Sequence, residues 1–143
     1  MERDWHWWTK LFDDEFWVVG SQDDPALKSK EVQLTNKLTD RILLLEEGNC
    51  LRDHTVKACK RSAVANHYGI EATSLLTLLQ MVESDLGIAL LPAMAVKSGL
   101  LKQTNLIAKP LTAPAPKRRI ALIARPSTAR IEEFNALVKV MKA

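Results

Sequence analysis

A chain of 143 residues is long enough for one domain of ordinary size with a buried core. Hydrophobic residues make up 47% and charged residues 26%, which excludes disorder, and a net charge of +3 does not by itself indicate nucleic-acid binding. No apolar stretch is long enough to span a membrane, and residues 1–4 are unlike a secretory signal. We therefore expect a cytoplasmic protein that makes no contact with a membrane.

The first ten residues are unusual because Trp5, Trp7 and Trp8 crowd together there without a clear period. Two interpretations are open. The tryptophans form an apolar surface that something else covers, or they belong to an edge strand packed on the domain itself. We treat residues 1–10 as a leader of unclear status.

Beyond the leader, apolar runs alternate with amphipathic segments. The runs predict strands at residues 16–19, 41–45, 68–72, 87–91, 106–107 and 120–124. Helices are expected from Cys50 to about Ala65, after Thr73 or Ser74, after Pro92, and after Ser127 or Thr128. The last helix carries an apolar stripe made of Ile131, Phe134, Val138 and Met141. This alternation predicts an α/β domain with a largely parallel or mixed sheet flanked by helices.

The two cysteines, Cys50 and Cys59, carry the most informative chemistry. Cys50 falls at the start of a predicted helix, where unpaired backbone N–H groups favour the thiolate. Arg52 and His54 add positive charge nearby, whereas Asp53 opposes it unless it pairs with Arg52. A thiolate attacks peroxide and becomes a sulfenic acid, which a second thiol then converts into a disulfide. This chemistry makes Cys50 a candidate sensor residue and Cys59 a candidate partner.

Helix geometry separates Cys50 from Cys59. Nine residues of helix rise about 13.5 Å, whereas a disulfide needs Cα atoms within roughly 4.4–6.8 Å. A bond would therefore require the helix to unwind, which is the coupling that a switch requires. Spacing alone favours a different interpretation, two unrelated thiols with Cys59 in the core beside Val56 and Ala63. A zinc site at Cys50 and His54 lacks convincing further ligands, and no metal or cofactor is expected.

Four segments are characteristic of a known family, namely residues 43–53 (LLLEEGNCLRD), 72–75 (ATSL), 87–93 (GIALLPA) and 119–126 (RIALIARP). They resemble the OxyR-type peroxide-sensing regulators of the LysR family. The resemblance begins near Leu11 and continues to the end of the chain. It implies that Cys50 reacts with peroxide, that Cys59 resolves the product, and that Arg125 joins Asn49, Arg52 and Asp53 around the reactive thiol.

The resemblance also implies a fold of the type II periplasmic-binding-protein kind, with two α/β subdomains joined by crossing strands. Residues 11–126 would form the second subdomain with both crossing strands, and residues 127–143 would form a helix that docks on the first subdomain. We expect the DNA-binding part and most of the first subdomain to be absent from this chain. A further departure from the family pattern is at Asn49. The family usually has histidine at this position, and asparagine, unlike histidine, cannot carry a charge.

The implied partners are hydrogen peroxide and a thiol reductant such as glutaredoxin or thioredoxin. DNA, RNA polymerase and a homo-oligomeric partner would belong to the full-length protein. The chain would not be an enzyme, because no nucleophile–base pair with an orienting group is evident. Two alternatives are kept. One is a LysR-type domain that binds a small metabolite, with Thr73 and Ser74 holding an anionic ligand. The other is a thiol peroxidase, which would turn over peroxide when a reductant is present.

Overall fold

The computed structural model describes residues 7–59 and 71–142. In chain order, the strands are β1 (Trp7–Ser21), β2 (Ala89–Pro92), β3 (Leu106–Pro110) and β4 (Lys117–Ala124). The helices are a short 3-10 turn (Pro25–Leu27), α1 (Asn36–Thr39), α2 (Cys50–Ala58), α3 (Leu75–Glu83), α4 (Ala93–Lys97) and α5 (Ile131–Lys142). The α/β class is therefore confirmed. Within these two ranges, no helix combines the length and the apolarity needed to cross a membrane.

Strand β1 organises the sheet, because each of the other three named strands pairs with it. It runs antiparallel to β2, from Phe16 opposite Pro92 to Val19 opposite Ala89, and antiparallel to β3 on its other side. Isolated parallel bridges join further segments, such as Ile42 with Ile88. The sheet is thus mixed, which is one of the two predicted forms, and not largely parallel. An apolar run buried on both faces has the same composition in either direction, so the sequence did not reveal the pairing.

The predicted strand at residues 41–45 is an extended segment held between two neighbours rather than a continuous ladder strand. The backbone N–H of Leu43 donates to the carbonyl of Ile88 at 2.8 Å, and Ala72 N–H donates to the carbonyl of Leu44 at 3.0 Å. Leu45 and Ala72 form a parallel bridge. Most of the predicted strand at residues 68–72 lies outside the described residues. The helix predicted from Cys50 to about Ala65 is shorter than expected, because α2 ends at Ala58 with Cys59 as its C-cap.

The chain divides into two compact units. We call residues Glu15–Lys117 the core unit, and the described residues up to Asp14 and from Arg118 onward the terminal unit. Successive residues of β1 and β2 point to opposite faces of the sheet in the core unit. Phe16, Val18 and Leu90 enter one apolar cluster, whereas Val19 and Leu91 enter the other.

The two cluster faces of the core unit receive different helices. Helix α2 packs on the first cluster through Val56 and Ala58, and Cys59 lies within that cluster. Helix α3 packs on the second cluster with a stripe predicted from its periodicity, of which Leu78, Leu79 and Val82 are buried. The two cysteine positions therefore belong to an element seated on one face of a sheet that is covered on both faces.

The terminal unit contains the start of β1, most of β4 and helix α5. Asp14 is buried and accepts a hydrogen bond from Arg118 Nε at 3.0 Å. The guanidinium of Arg119 lies 5.3 Å from the ring centroid of Trp8, a cation–π distance. Residues 7–10 of the predicted leader therefore form the beginning of β1, and residues 1–6 lie outside the described residues.

Helix α5 begins at Ile131, three residues after Thr128, and Arg130 rather than Ser127 or Thr128 occupies the position before it. Thr128 Oγ1 instead accepts a hydrogen bond from Arg130 N–H at 3.2 Å in the turn that precedes the helix. Acidic residues occupy its first turn and lysines its last turn, which suits the helix dipole. Of the predicted stripe, Phe134 is buried, whereas Met141 is 45% exposed. Docking of this helix on a first subdomain stays a prediction.

Candidate functional site

Cys50 is the first residue of α2 and is exposed to solvent. The helix begins there because Asn49 caps it, its side-chain oxygen accepting from Leu51 N–H at 2.9 Å. Gly48, with φ +90°, supplies the left-handed turn that brings the chain to the cap. The Cys50 thiol therefore lies at the partly positive end of a helix and within reach of small oxidants in water.

Cys59 occupies the opposite end of α2. It is the C-cap residue, its backbone N–H donates to the carbonyl of Thr55 at 3.1 Å, and it is 8% exposed within the first apolar cluster. No disulfide joins the two cysteines. The intervening turns of helix hold the two thiols about 13.5 Å apart along the axis, with one in solvent and the other in the core.

Arg52 is held by two acceptors from other parts of the core unit. Its Nη1 donates to the carbonyl of Leu45 at 2.9 Å and also contacts Glu71 Oε2. The Arg52 side chain is 19% exposed and that of Glu71 34%. Asp53 is exposed in the first turn of the helix, so Arg52 takes the more distant carboxylate as its partner. The carboxylate of Glu71 therefore balances the positive charge that Arg52 places near Cys50.

Glu71 was missed by the sequence analysis. Nineteen residues separate it from Arg52, and no local pattern connects the two. The connection arises because Leu45 and Ala72 pair, which brings the residue before Ala72 beside the first turn of α2. Glu71 could have been found from the sequence only by first predicting that these two segments pair.

His54 is half-buried and packs against a core residue. Its ring lies edge-on to Phe16, with 5.9 Å between ring centroids and an interplanar angle of 81°. Its Nδ1 atom is buried without a hydrogen-bond partner in the part of the chain that the structure describes. Beside it, Thr55 is buried and bonds back to the carbonyl of Leu51 at 2.9 Å. This face of α2 is thus a packing surface.

The candidate ligand residues Thr73 and Ser74 lie before α3, and both are exposed. The Ser74 hydroxyl oxygen accepts from Thr77 N–H at 3.2 Å and donates to Thr77 Oγ1 at 3.0 Å. Ser74 is therefore the helix cap, as predicted. A ligand contact at either residue stays a prediction.

Arg125 follows β4 directly and belongs to the terminal unit, whereas Cys50 belongs to the core unit. It is exposed, and its backbone carbonyl accepts from Thr128 N–H at 3.1 Å. Its predicted proximity to the reactive thiol therefore stays a prediction.

Comparison with known proteins identifies the class of protein that this fold and site define. Residues 3–143 match the LysR substrate binding domain. The chain therefore belongs to the LysR family, whose members are transcription regulators and not enzymes.

Individual relatives show which regulators of this family the chain is similar to. The chain is 32% identical over 133 residues to the DNA-binding transcriptional dual regulator OxyR of Escherichia coli, covering 93% of this chain and 43% of that protein. It is 43% identical over 103 residues to the HTH-type transcriptional regulator EstR of Acinetobacter baylyi, covering 71% of this chain and 34% of that protein. Its fold is similar to the reduced form of the OxyR2 regulatory domain of Vibrio vulnificus, with TM-score 0.80, 33% identity, and coverage of 99% of this chain and 67% of that one.

These matches confirm both the predicted resemblance and the type II periplasmic-binding-like fold. The chain spans less than half the length of the two curated relatives. The chemistry of its two cysteines is consequently a matter for proposal.

Proposed function

We propose that this chain is the peroxide-sensing part of a LysR-type transcription regulator, and that it responds through Cys50 and Cys59. The observation that carries the proposal is the placement of the two thiols. Cys50 is exposed at the N-terminus of α2, and Cys59 is buried at the other end of the same helix. Relatives that are named hydrogen peroxide-inducible genes activators support the same oxidant.

The reaction proceeds in two balanced steps. The Cys50 thiolate attacks one oxygen of hydrogen peroxide, the O–O bond breaks, hydroxide leaves, and the sulfur becomes a sulfenic acid. The Cys59 thiolate then attacks that sulfur and forms the disulfide, and the hydroxyl group leaves as hydroxide. Peroxide is thereby reduced by two electrons and the thiol pair is oxidised by two.

The second step requires a structural change because α2 keeps the thiols apart. Cys59 must leave the first apolar cluster, and at least the central turns of α2 must unwind. Oxidation at an exposed sulfur is thereby converted into rearrangement of an element packed on the sheet. This is the kind of local event that a regulator transmits to the rest of its chain.

A regulator of this kind reacts stoichiometrically and acts in the cytoplasm. A thiol reductant such as glutaredoxin or thioredoxin would reverse the disulfide. DNA, RNA polymerase and a second copy would be partners of the full-length protein. A thiol peroxidase is disfavoured because the family is one of transcription regulators.

A second candidate function is the recognition of a small metabolite. The chain matches the LysR substrate binding domain, and Thr73 is exposed just before α3. Thr73 and the first turn of α3 would then contact an anionic ligand.

Hydrogen exchange on the reduced and peroxide-treated chain tests the proposal, with tryptic mass spectrometry to detect the Cys50–Cys59 link. We expect the amides of α2 to lose protection on oxidation. Those of α3 should exchange as before, so α3 is the internal control.

Two variants complete this test. Cys59→Ser should accumulate sulfenic acid at Cys50 and keep α2 protected, and Cys50→Ser should not respond to peroxide. A bridged protein with α2 still protected would disprove the coupling. If Cys50 stays reduced in excess peroxide, the metabolite function is the better one.

A further inference from the structure

Arg52 joins three separate parts of the chain at the base of α2. It projects from the first turn of the helix and contacts the carbonyl of Leu45, on one extended segment, and the carboxylate of Glu71, next to another. Those two segments are themselves paired, since Glu46 N–H donates to the carbonyl of Ala72 at 2.9 Å. The guanidinium therefore connects the first turn of α2 to this pair of extended segments.

We propose that Arg52 and Glu71 form a latch that favours the reduced thiol pair and so sets how readily the Cys50–Cys59 disulfide closes. The inference rests on the proposed function. Arg52 is a positioning residue in this scheme, because it acts through the helix and touches neither sulfur in any contact that the structure gives.

Arg52 lies between the two cysteines in the chain, inside the loop that the disulfide closes. The contacts to Leu45 and Glu71 require the first turn of α2, and disulfide closure removes helical structure from this loop. Every contact that exists only with the helix intact stabilises the dithiol relative to the disulfide.

The chemistry of the contact indicates the size of the effect. Arginine can serve two acceptors with one rigid planar group, whereas lysine presents a single point charge. The carboxylate partner is 34% exposed, so the ion pair is partly screened by water and a modest effect is expected. A change of about threefold in the equilibrium between dithiol and disulfide is the appropriate scale for such a pair.

The latch should affect the two chemical steps differently. Oxidation of Cys50 to the sulfenic acid takes place on an exposed sulfur with α2 in place. Attack by Cys59 on that sulfur, with loss of hydroxide, needs the helix open. A weakened latch should therefore accelerate disulfide closure while leaving the sulfenic acid step close to its original rate.

The test uses Glu71→Gln, which keeps the shape of the side chain and removes its charge. Glu47→Gln is the matched control, because it removes an exposed carboxylate from the turn before α2 without touching Arg52. Each protein is equilibrated in glutathione redox buffers, and the bridged fraction is measured by mass spectrometry. The sulfenic acid step is timed separately for each variant in a Cys59→Ser background.

We expect Glu71→Gln to favour the disulfide about threefold, which lowers its reduction potential by about 14 mV at 29.6 mV per tenfold change. Arg52→Lys should shift the potential in the same direction, and Glu47→Gln should match the unmodified chain. Two outcomes would contradict the latch and leave the sensing function unaffected. One is a reduction potential and a rate of disulfide closure that are both unchanged in Glu71→Gln. The other is a shift of equal size in the reduction potential of Glu47→Gln. If the unmodified chain forms no Cys50–Cys59 bond at all, the proposed function fails and the latch fails with it.

Discussion

The two units of this chain differ in how much of their apolar surface they bury. The core unit contains both apolar clusters, with residues such as Val18, Ile88 and Leu91 fully enclosed. In the described part of the terminal unit, the buried hydrophobic residues are Leu11 and Phe134. Large apolar side chains there are exposed instead, namely Ile123, Leu137, Val140 and Met141.

The favourable free energy of folding therefore comes mainly from the core unit. Burial of apolar area is the dominant favourable term in folding, and it is concentrated in the unit that carries both cysteines. The redox chemistry that we propose would therefore take place in the more completely buried of the two units. Helix α5, by contrast, leaves part of its apolar surface exposed within its unit. Leu137 is 51% exposed and Val140 is 72% exposed.

The largest expected difference in the free energy of unfolding is between two leucine-to-alanine substitutions, one in each unit. Leu91→Ala should lower the free energy of unfolding by about 2–5 kcal/mol, because it leaves a cavity in the second cluster. Leu137→Ala, on the exposed side of α5, should change it by no more than about 0.5 kcal/mol. Urea denaturation measures both. Equal costs would show that the terminal unit is as tightly packed as the core unit.

A second comparison uses one ion pair from each unit. In the core unit, Asp24 is 6% exposed and bonds Arg41 at 2.5 Å. The hydrogen bond from the Arg41 guanidinium lowers the pKa of Asp24, against the opposing effect of burial. In the terminal unit, Lys10 and Asp13 form a pair at 3.1 Å with side chains 45% and 31% exposed.

Asp24→Asn should destabilise the chain by about 1–2 kcal/mol at pH 7, and Asp13→Asn by no more than about 0.5 kcal/mol. The folded pKa of Asp24 lies below its unfolded value of about 3.9, so its contribution is complete above that pH. It is lost as the pH falls through the folded pKa. Unfolding curves from pH 7 to pH 2 should therefore show the difference between Asp24→Asn and the unmodified chain shrinking from about pH 4 downward and vanishing only below the folded pKa. A difference that persists in acid would rule out this ionic origin.

The smallest effect on stability is expected at Val140. Val140→Lys should leave the free energy of unfolding within about 0.5 kcal/mol of the unmodified chain. It should nevertheless reduce association at high concentration, because it interrupts an exposed apolar patch. Sedimentation of both proteins over a concentration series measures this. An unmodified chain that stays monomeric at the highest concentration would contradict the expectation.

Much of α2, α3 and α5 was predictable because helices are specified by residues close together in sequence. The position of Cys50 at a helix start and the cap at Ser74 follow from local chemistry, and the structure has both. The apolar stripe of α3 follows from its period. The resemblance carried by residues 43–53 then connected the thiol pair to a family, which spacing alone did not.

The features that join residues distant in sequence depend on the tertiary structure and could not be predicted. Strand β1 pairs antiparallel with β2 and β3, whereas the alternation of elements predicted a largely parallel or mixed sheet. Arg52 meets Glu71, and not its neighbour Asp53, because Leu45 pairs with Ala72. His54 turned out to pack on Phe16. The physical reason is common to all three. A sequence specifies which groups can be buried or charged, but the partner of each group depends on which segments the fold brings side by side.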